Sequence, residues 1–169
     1  MKYLFVSDSH GDEAILQDIV QTWQGKVTAM YHCGDSELAE DHRIWQVMKA
    51  VRGNCDWTAF PERLVDVQGD DRIMCVHGHL ENVKIDLLAL TMHAKEEGAN
   101  IVAYGHSHVH RVECVNGMLI INPGSIAQPR CFPPLYTYAI VDSDDGRYQV
   151  TYYDRTHQCI SQLTQTFIK

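Results

Sequence analysis

Short apolar runs alternate with longer stretches of helical periodicity over the first two thirds of the chain. The apolar runs predict five strands, at residues 2–6, 27–32, 49–52, 72–76 and 101–104. Between them, apolar residues recur at helical spacing over residues 15–23, 44–48 and 85–97. This alternation of strand and helix is typical of an α/β fold with parallel strands.

The pattern changes in the last third of the chain, where runs of β-type residues follow one another closely. Residues 109–115 and 118–122 flank Asn116-Gly117, a strong signal for a two-residue hairpin turn. Residues 136–141 and 147–153 flank an Asp-rich turn that ends at Gly146, and a last β-type run covers residues 160–168. We therefore expect one domain over residues 1–169, with two packed sheets and helices on the outside.

The composition narrows the classes of function. With 169 residues, 45% of them hydrophobic, the chain suits one globular domain. Fourteen basic against 22 acidic residues give a formal charge of −8, so we expect no general grip on nucleic acid or an anionic membrane surface. The first apolar run is too short for a signal peptide, and none approaches the ~18 residues of a membrane span. We expect a cytoplasmic protein with its six cysteines reduced.

The sequence contains ten histidines, and several of them follow predicted strands. Each of the five strands is followed by a metal-competent side chain beside a glycine: Asp8-Ser9-His10, Gly34-Asp35, Gly53-Asn54-Cys55-Asp56, His77-Gly78-His79 and Gly105-His106-Ser107-His108. One such residue alone is more often a helix cap, a turn former or a buried histidine. The carboxyl ends of parallel strands meet at one edge of a sheet, so five together favour a shared site.

Seven oxygen and nitrogen donors stand at these strand ends: Asp8, His10, Asp35, Asn54, His77, His106 and His108. One zinc ion takes only three or four ligands, whereas two metal ions roughly 3.5–4 Å apart can share a carboxylate. Four imidazoles are more than magnesium favours. We therefore expect two divalent ions, Mn²⁺ before Fe²⁺, Co²⁺, Ni²⁺ or Zn²⁺, of the kind that act on phosphoryl centres.

These motifs, in this order, resemble those of the calcineurin-like metallophosphoesterases. The short chain, the Gly-Asn-Cys-Asp variant and Asn122-Pro123-Gly124-Ser125 are similar to the small bacterial YfcE/YsnB-type branch. The resemblance covers nearly the whole chain and implies a four-layer αββα sandwich. In that fold two mixed β-sheets are flanked by helices, and the dimetal site lies at the strand C-terminal ends.

The resemblance also implies roles for individual residues. Asp8, His10 and His108 would hold the first metal, and Asn54, His77 and His106 the second, with Asp35 bridging the two. A hydroxide shared by both metals would attack the phosphorus of a phosphodiester or a related small organic phosphate. Although the chain is acidic, two divalent ions bring four positive charges against two negative ones from Asp8 and Asp35, so the site can attract an anion.

The sequence departs from the family pattern at one position. Many family members carry a histidine directly after the motif asparagine, and it is thought to protonate the leaving oxygen. This chain has Cys55 there, and a neutral thiol substitutes poorly for imidazole near pH 7. Either the leaving group departs unaided or another group donates the proton. His79 and Asp56 are the candidates, although His79 is equally well explained as a hydrogen-bond partner of a ligand.

Other classes of protein fit the sequence less well. A non-catalytic scaffold of the same fold, such as the retromer scaffold subunit, acts through protein contacts and has lost motif ligands, whereas here every expected ligand is present. The metallo-β-lactamase pattern fails because Glu81 and Asn82 follow His79. An aspartyl-phosphate phosphatase would need an acid at His10. The expected partner is a small phosphate-ester substrate, and homo-oligomer formation stays open.

Overall fold

The computed structural model describes residues 1–169, which form eleven strands and two α-helices. The helices are α1 (Glu13–Trp23) and α2 (Leu88–Glu97). Neither helix has the length and hydropathy that crossing a bilayer requires. The strands are β1 (Lys2–Val6), β2 (Ala29–His32), β3 (Met48–Ala50), β4 (Arg63–Gln68), β5 (Asp71–Val76), β6 (Ile101–Ala103), β7 (Arg111–Val115), β8 (Met118–Asn122), β9 (Tyr138–Ser143), β10 (Arg147–Tyr153) and β11 (Gln165–Ile168).

The strands form two mixed sheets. The first has the order β11-β10-β9-β1-β2-β3, and the second has the order β4-β5-β6-β8-β7. Strands β1, β2 and β3 run parallel in the first sheet, as do β5, β6 and β8 in the second. The remaining pairs are antiparallel. The α/β fold with two mixed sheets that we expected is therefore confirmed.

Side chains on β1 show how the layers are built. Tyr3 and Phe5 pack into the core between the two sheets, whereas Leu4 and Val6 pack with the helical layer outside the first sheet. Because a central strand is apolar on both faces, its sequence is a continuous hydrophobic run. Helix α1 covers the first sheet and α2 the second, through the following buried side chains: Ile15, Leu16, Ile19, Leu90 and Ala94.

Tyrosine hydroxyl groups of the first sheet reach across the core to the second. Tyr31 on β2 donates a hydrogen bond of 2.7 Å to the Asp66 carboxylate on β4. Tyr152 on β10 donates one of 3.0 Å to the carbonyl oxygen of Asn122 at the end of β8. Both rings are buried, and a buried hydroxyl needs such a partner. These bonds fix how the sheets face each other at positions on either side of the core.

Three elements differ from the sequence prediction. Strand β4 was not predicted, because it is an edge strand of half-buried side chains without a continuous apolar run. The helix predicted at residues 44–48 is a single 3-10 turn at Arg43–Gln46, since β3 already begins at Met48. The run predicted at residues 160–168 is a strand only at Gln165–Ile168, after a 3-10 turn at Ser161–Leu163.

The strand ends that carry the motifs come from both sheets, not from one open sheet. Strands β1, β2 and β3 end on the same side of the sandwich as β5 and β6, as the parallel pairings and the contacts described below require. A Cβ added to Gly53 would lie 2.0 Å from Asp35 Oδ1, and one added to Gly105 would lie 2.0 Å from Ser7 Oγ. Glycine at these positions therefore permits the close approach of neighbouring loops.

Candidate metal centre

The seven predicted metal ligands lie in loops that follow the parallel strands. Asp8 and His10 follow β1, Asp35 follows β2 and Asn54 follows β3 in the first sheet. From the second sheet, His77 follows β5, and His106 and His108 follow β6. The distances below show that the structure brings all seven together.

Four of them form a compact first group. The ligand atoms of Asp8, His10, Asp35 and His108 all lie within 4.8 Å of one another. Asp8 Oδ1 lies 3.1 Å from His108 Nε2 and 4.0 Å from His10 Nε2. Both Asp8 Oδ1 and His10 Nε2 are buried without a well-formed hydrogen bond. Buried polar atoms are normally satisfied, so two orphaned ligand atoms that face each other fit a divalent cation between them.

The imidazoles of His77 and His108 are held in one orientation by backbone carbonyls. His77 Nδ1 lies 2.7 Å from the carbonyl oxygen of Cys33, and His108 Nδ1 lies 2.6 Å from that of Gln128. Since a carbonyl only accepts, each Nδ1 carries the proton. In the neutral ring the lone pair is then on Nε2 and points toward the site, as metal-binding histidines require, whereas a protonated His77 donates from Nε2 to the nearby Asp35 carboxylate.

Glu37 supports a third imidazole and was not among the residues predicted from sequence. Its Oε1 lies 2.6 Å from His10 Nδ1 and accepts the hydrogen bond that leaves Nε2 free toward Asp8. Carboxylates that hold a ligand histidine in this way raise its basicity and fix its ring. No sequence signal marks Glu37, because it faces His10 only after β1 and β2 have paired.

A second group lies against the first and shares Asp35 with it. His77 Nε2 is 3.1 Å from Asn54 Oδ1 and 3.3 Å from Asp35 Oδ2. The ring of His106 lies 5.0 Å from that of His77, centroid to centroid. Asp35 Oδ1 accepts a hydrogen bond of 2.7 Å from the Cys55 backbone, which leaves Oδ2 toward the imidazole. Asp35 thus contacts both groups.

The charges of the site suit cation binding. Burial by itself would raise the pKa of Asp35, but the hydrogen bond and charge of His77 outweigh it and hold the pKa below the usual range. Burial would likewise raise the pKa of Asp8, yet His108 and His77 lower it. Burial and the charge of His77 lower the pKa of His106 to about 4. At neutral pH these carboxylates are ionised and His106 is neutral, the forms that bind metals.

The backbone at the site adopts a conformation that most residues avoid. Five of the seven ligands have φ between 43° and 64°, the left-handed region: Asp8, His10, Asp35, His106 and His108. For residues other than glycine this conformation carries an energetic cost, and aspartate and histidine bear it better than most. Such strain clusters at functional sites, where the surrounding structure enforces it.

His79 and Asp56, the two predicted proton donors, have different surroundings. The half-exposed His79 ring lies 5.4 Å from that of His77, and its buried Nδ1 has no partner. Burial and the charge of His77 lower its pKa. The thiol of Cys55, the residue before Asp56, stays neutral because burial and the charge of Asp35 raise its pKa to about 11.

The Asp56 carboxylate is buried and fully engaged. Its Oδ2 accepts hydrogen bonds from the backbone of Asp35 at 2.8 Å and of Gly53 at 2.7 Å. Its Oδ1 accepts from the Glu37 backbone at 2.8 Å and from the Ser36 hydroxyl at 3.3 Å. These four bonds tie the loop after β2 to the loop after β3. They favour a positioning role for Asp56.

Comparison with known proteins places the chain in a family. Residues 1–146 match the family described as "Calcineurin-like phosphoesterase superfamily domain". The chain is 39% identical over 164 residues to the "Probable metallophosphoesterase YsnB" of Bacillus subtilis, covering 96% of both chains.

Solved structures agree with this match. A protein of Streptococcus pneumoniae, described as a predicted phosphoesterase, superposes with a TM-score of 0.96 at 38% identity, covering 99% of this chain and 97% of that one. YfcE, a phosphoesterase from E. coli, shares the fold with a TM-score of 0.67 at 21% identity, covering 95% and 97%. The chain therefore belongs to the calcineurin-like phosphoesterase superfamily.

Proposed function

We propose that this protein is a dimetal-dependent phosphoesterase that hydrolyses phosphodiesters or related small organic phosphates. The observation that carries the proposal is the contact of Asp35 with both ligand groups, through the 4.8 Å cluster on one side and His77 on the other. The family match and the name of the Bacillus subtilis relative support phosphate-ester chemistry.

The donor set matches two divalent cations. One ion would be held by Asp8, His10 and His108 and the other by Asn54, His77 and His106, with Asp35 shared. When bound, the two ions supply an activated water for attack on phosphorus and neutralise charge on the phosphoryl oxygens. Mn²⁺ is our first choice for this mixture of oxygen and imidazole donors, before Fe²⁺, Co²⁺, Ni²⁺ or Zn²⁺.

We assign His79 to the leaving-group oxygen, as a donor of a hydrogen bond or a proton. Its ring is partly exposed beside His77, so the side chain is within reach of a substrate bound at the site. The Asp56 carboxylate is the weaker candidate because four hydrogen bonds already occupy it. A leaving group as acidic as nitrophenolate needs neither.

The first test is Asp35→Ala, with Asp145→Asn, an exposed carboxylate, as the matched control. Purified proteins are analysed for bound metal and assayed with Mn²⁺ on bis(p-nitrophenyl) phosphate. The screen extends to phosphomonoesters, nucleotides and oligonucleotides. We expect Asp35→Ala to lose bound metal and activity, because one shared ligand serves both ions. Normal activity in this variant would contradict the two-metal assignment. A wild-type protein that binds two ions but hydrolyses none of these substrates would favour a non-catalytic scaffold.

The second test concerns His79→Ala and compares substrates whose leaving groups differ in acidity. If His79 assists the leaving oxygen, the variant slows alkoxide leaving groups far more than nitrophenolate. An equal loss for both would point to positioning instead.

We further propose the reducing cytoplasm as the compartment, since all six cysteines are free thiols in the structure.

A further inference from the structure

Two aromatic side chains beside the metal centre are almost fully exposed. Trp57 and Phe132 have relative exposures of 101% and 98%, the largest among the bulky hydrophobic side chains. Trp57 follows Asn54 by three positions in the loop after β3. Phe132 lies in a loop whose Arg130 N–H donates a hydrogen bond of 3.0 Å to the carbonyl oxygen of His108. Both rings thus stand on loops attached to metal-ligating segments.

Trp57 differs from the other two tryptophans of the chain. The indole N–H of Trp23 donates to the Tyr138 hydroxyl at 2.7 Å, and that of Trp45 donates to the Ala39 carbonyl at 2.9 Å. Trp57 makes no hydrogen bond within the chain and buries none of its ring. Packing therefore does not explain a tryptophan at this position.

A cavity of about 260 Å³ lies between Trp57 and residues that contact the metal ligands. Glu37 and Cys55 line it together with Trp57, and the other lining residues are Leu38, Ala39 and Thr58. Glu37 bonds His10, and the Cys55 backbone bonds Asp35, so the cavity adjoins two metal ligands. It contains no cationic side chain, and the one charged residue in its wall is the acidic Glu37. Such a space suits an uncharged organic group attached to a phosphate better than a second phosphate.

We propose that Trp57 is a stacking platform for an aromatic ring on the substrate, so that aryl or nucleobase-bearing phosphate esters bind in preference to alkyl ones. The proposal rests on the proposed function in placing the phosphate at the metal centre. A ring attached to that phosphate would lie over the exposed indole face, where offset stacking is favourable. The neighbouring Asp56 is held by four hydrogen bonds, which keep this part of the loop in place beside the site.

The experiment compares phenylphosphonate with methylphosphonate, which present the same phosphonate head and resist hydrolysis. Their binding to the Mn²⁺-loaded protein is measured by calorimetry. We expect the phenyl compound to bind about tenfold more tightly, as base–aromatic stacking does. Trp57→Ala should abolish that preference and leave methylphosphonate binding unchanged, whereas Trp57→Phe should retain most of it. Ile168→Ala, which removes another exposed side chain in the C-terminal strand β11, is the control.

Two results would overturn the assignment. One is equal affinity of the wild type for both compounds. The other is a preference for the phenyl compound that survives Trp57→Ala. If that preference is lost in Phe132→Ala instead, the stacking platform lies on the Phe132 loop. Because binding needs no turnover, a protein that shows the ring preference but hydrolyses no phosphate ester would contradict the proposed function and not this inference. A protein that binds neither phosphonate would contradict both.

Discussion

Replacing Asp56 by asparagine separates a positioning residue from a proton donor. In the wild type, Asp56 Oδ2 accepts from the backbone of Asp35 and Gly53, and Oδ1 accepts from the Glu37 backbone and the Ser36 hydroxyl. The amide group of asparagine donates where one of these oxygens accepted. An amide nitrogen in the Oδ2 position would face two backbone N–H donors, whereas in the Oδ1 position it would face only one. The second orientation is therefore the less costly.

In that orientation a single backbone donor loses its acceptor. The Ser36 hydroxyl can turn and accept from the new amide, but the Glu37 N–H cannot. One charge-assisted hydrogen bond is lost, and its N–H loses its acceptor in a part-buried position, which costs about 1.5–3 kcal/mol. The other backbone bonds remain but lose the charge of their acceptor. We therefore expect Asp56→Asn to lower the free energy of unfolding by about that amount.

Urea unfolding in the presence of EDTA measures this loss without a contribution from metal binding. Asp145→Asn, which removes an exposed carboxylate, is the control and should lie within about 0.5 kcal/mol of the wild type. Asp56→Asn should also slow nitrophenyl and alkyl substrates equally, since the lost bond holds Glu37, the partner of His10, in place for both. Unchanged stability together with a selective loss on alkyl leaving groups would refute the positioning role and restore Asp56 as the acid.

Three further predictions concern the supports of the site and the contact between the sheets. Glu37→Gln should weaken metal binding about 10- to 100-fold, because His10 loses its carboxylate partner, and metal titration would show it; unchanged affinity would contradict this. Excess Mn²⁺ at about 100 times its Kd should stabilise the protein, relative to EDTA, by about 2.7 kcal/mol for each of the two ions bound, measured by urea unfolding. Burial would raise the pKa of Asp66, but hydrogen bonds from Lys49, Tyr31 and Gln68 lower it overall. The ionised Asp66 carboxylate therefore contributes fully to the free energy of unfolding above its unfolded pKa of ~4, and this contribution is lost as the pH falls through its folded-state pKa. Asp66→Asn should thus flatten the acid side of a plot of the free energy of unfolding against pH.

Much of the fold could be predicted from local pattern. Strand β1 and the second strand of the Asn-Gly hairpin have the predicted bounds, Lys2–Val6 and Met118–Asn122. Strand β1 is apolar because it is buried on both faces, and β8 directly follows the Asn-Gly turn. Both strands are therefore clearly marked in the sequence. Strand β4 could not be found, because an edge strand that is half-exposed leaves no continuous apolar run. This segment is a strand because its backbone pairs with β5, a long-range contact that its own sequence does not signal.

The ligand set could be predicted for a related reason. Each ligand lies within five residues of the end of a strand, and five of the seven stand directly beside a glycine, so both features are local. Glu37, the four bonds of Asp56 and the exposure of Trp57 could not be predicted in this way. They depend on how separate loops face one another. The positive φ values of five ligands also could not be predicted, because the surrounding loops enforce them.

The sequence by itself determined which donors this protein carries and that they stand at the ends of parallel strands, since strand and turn formation depend on neighbours along the chain. Only the tertiary structure decided which donors meet. Asp8 and His108 are a hundred positions apart and lie on loops of different sheets, yet their ligand atoms are 3.1 Å apart. That distance is set by the packing of two sheets over a shared core, held together by bonds such as that of Tyr152, and no local pattern encodes it.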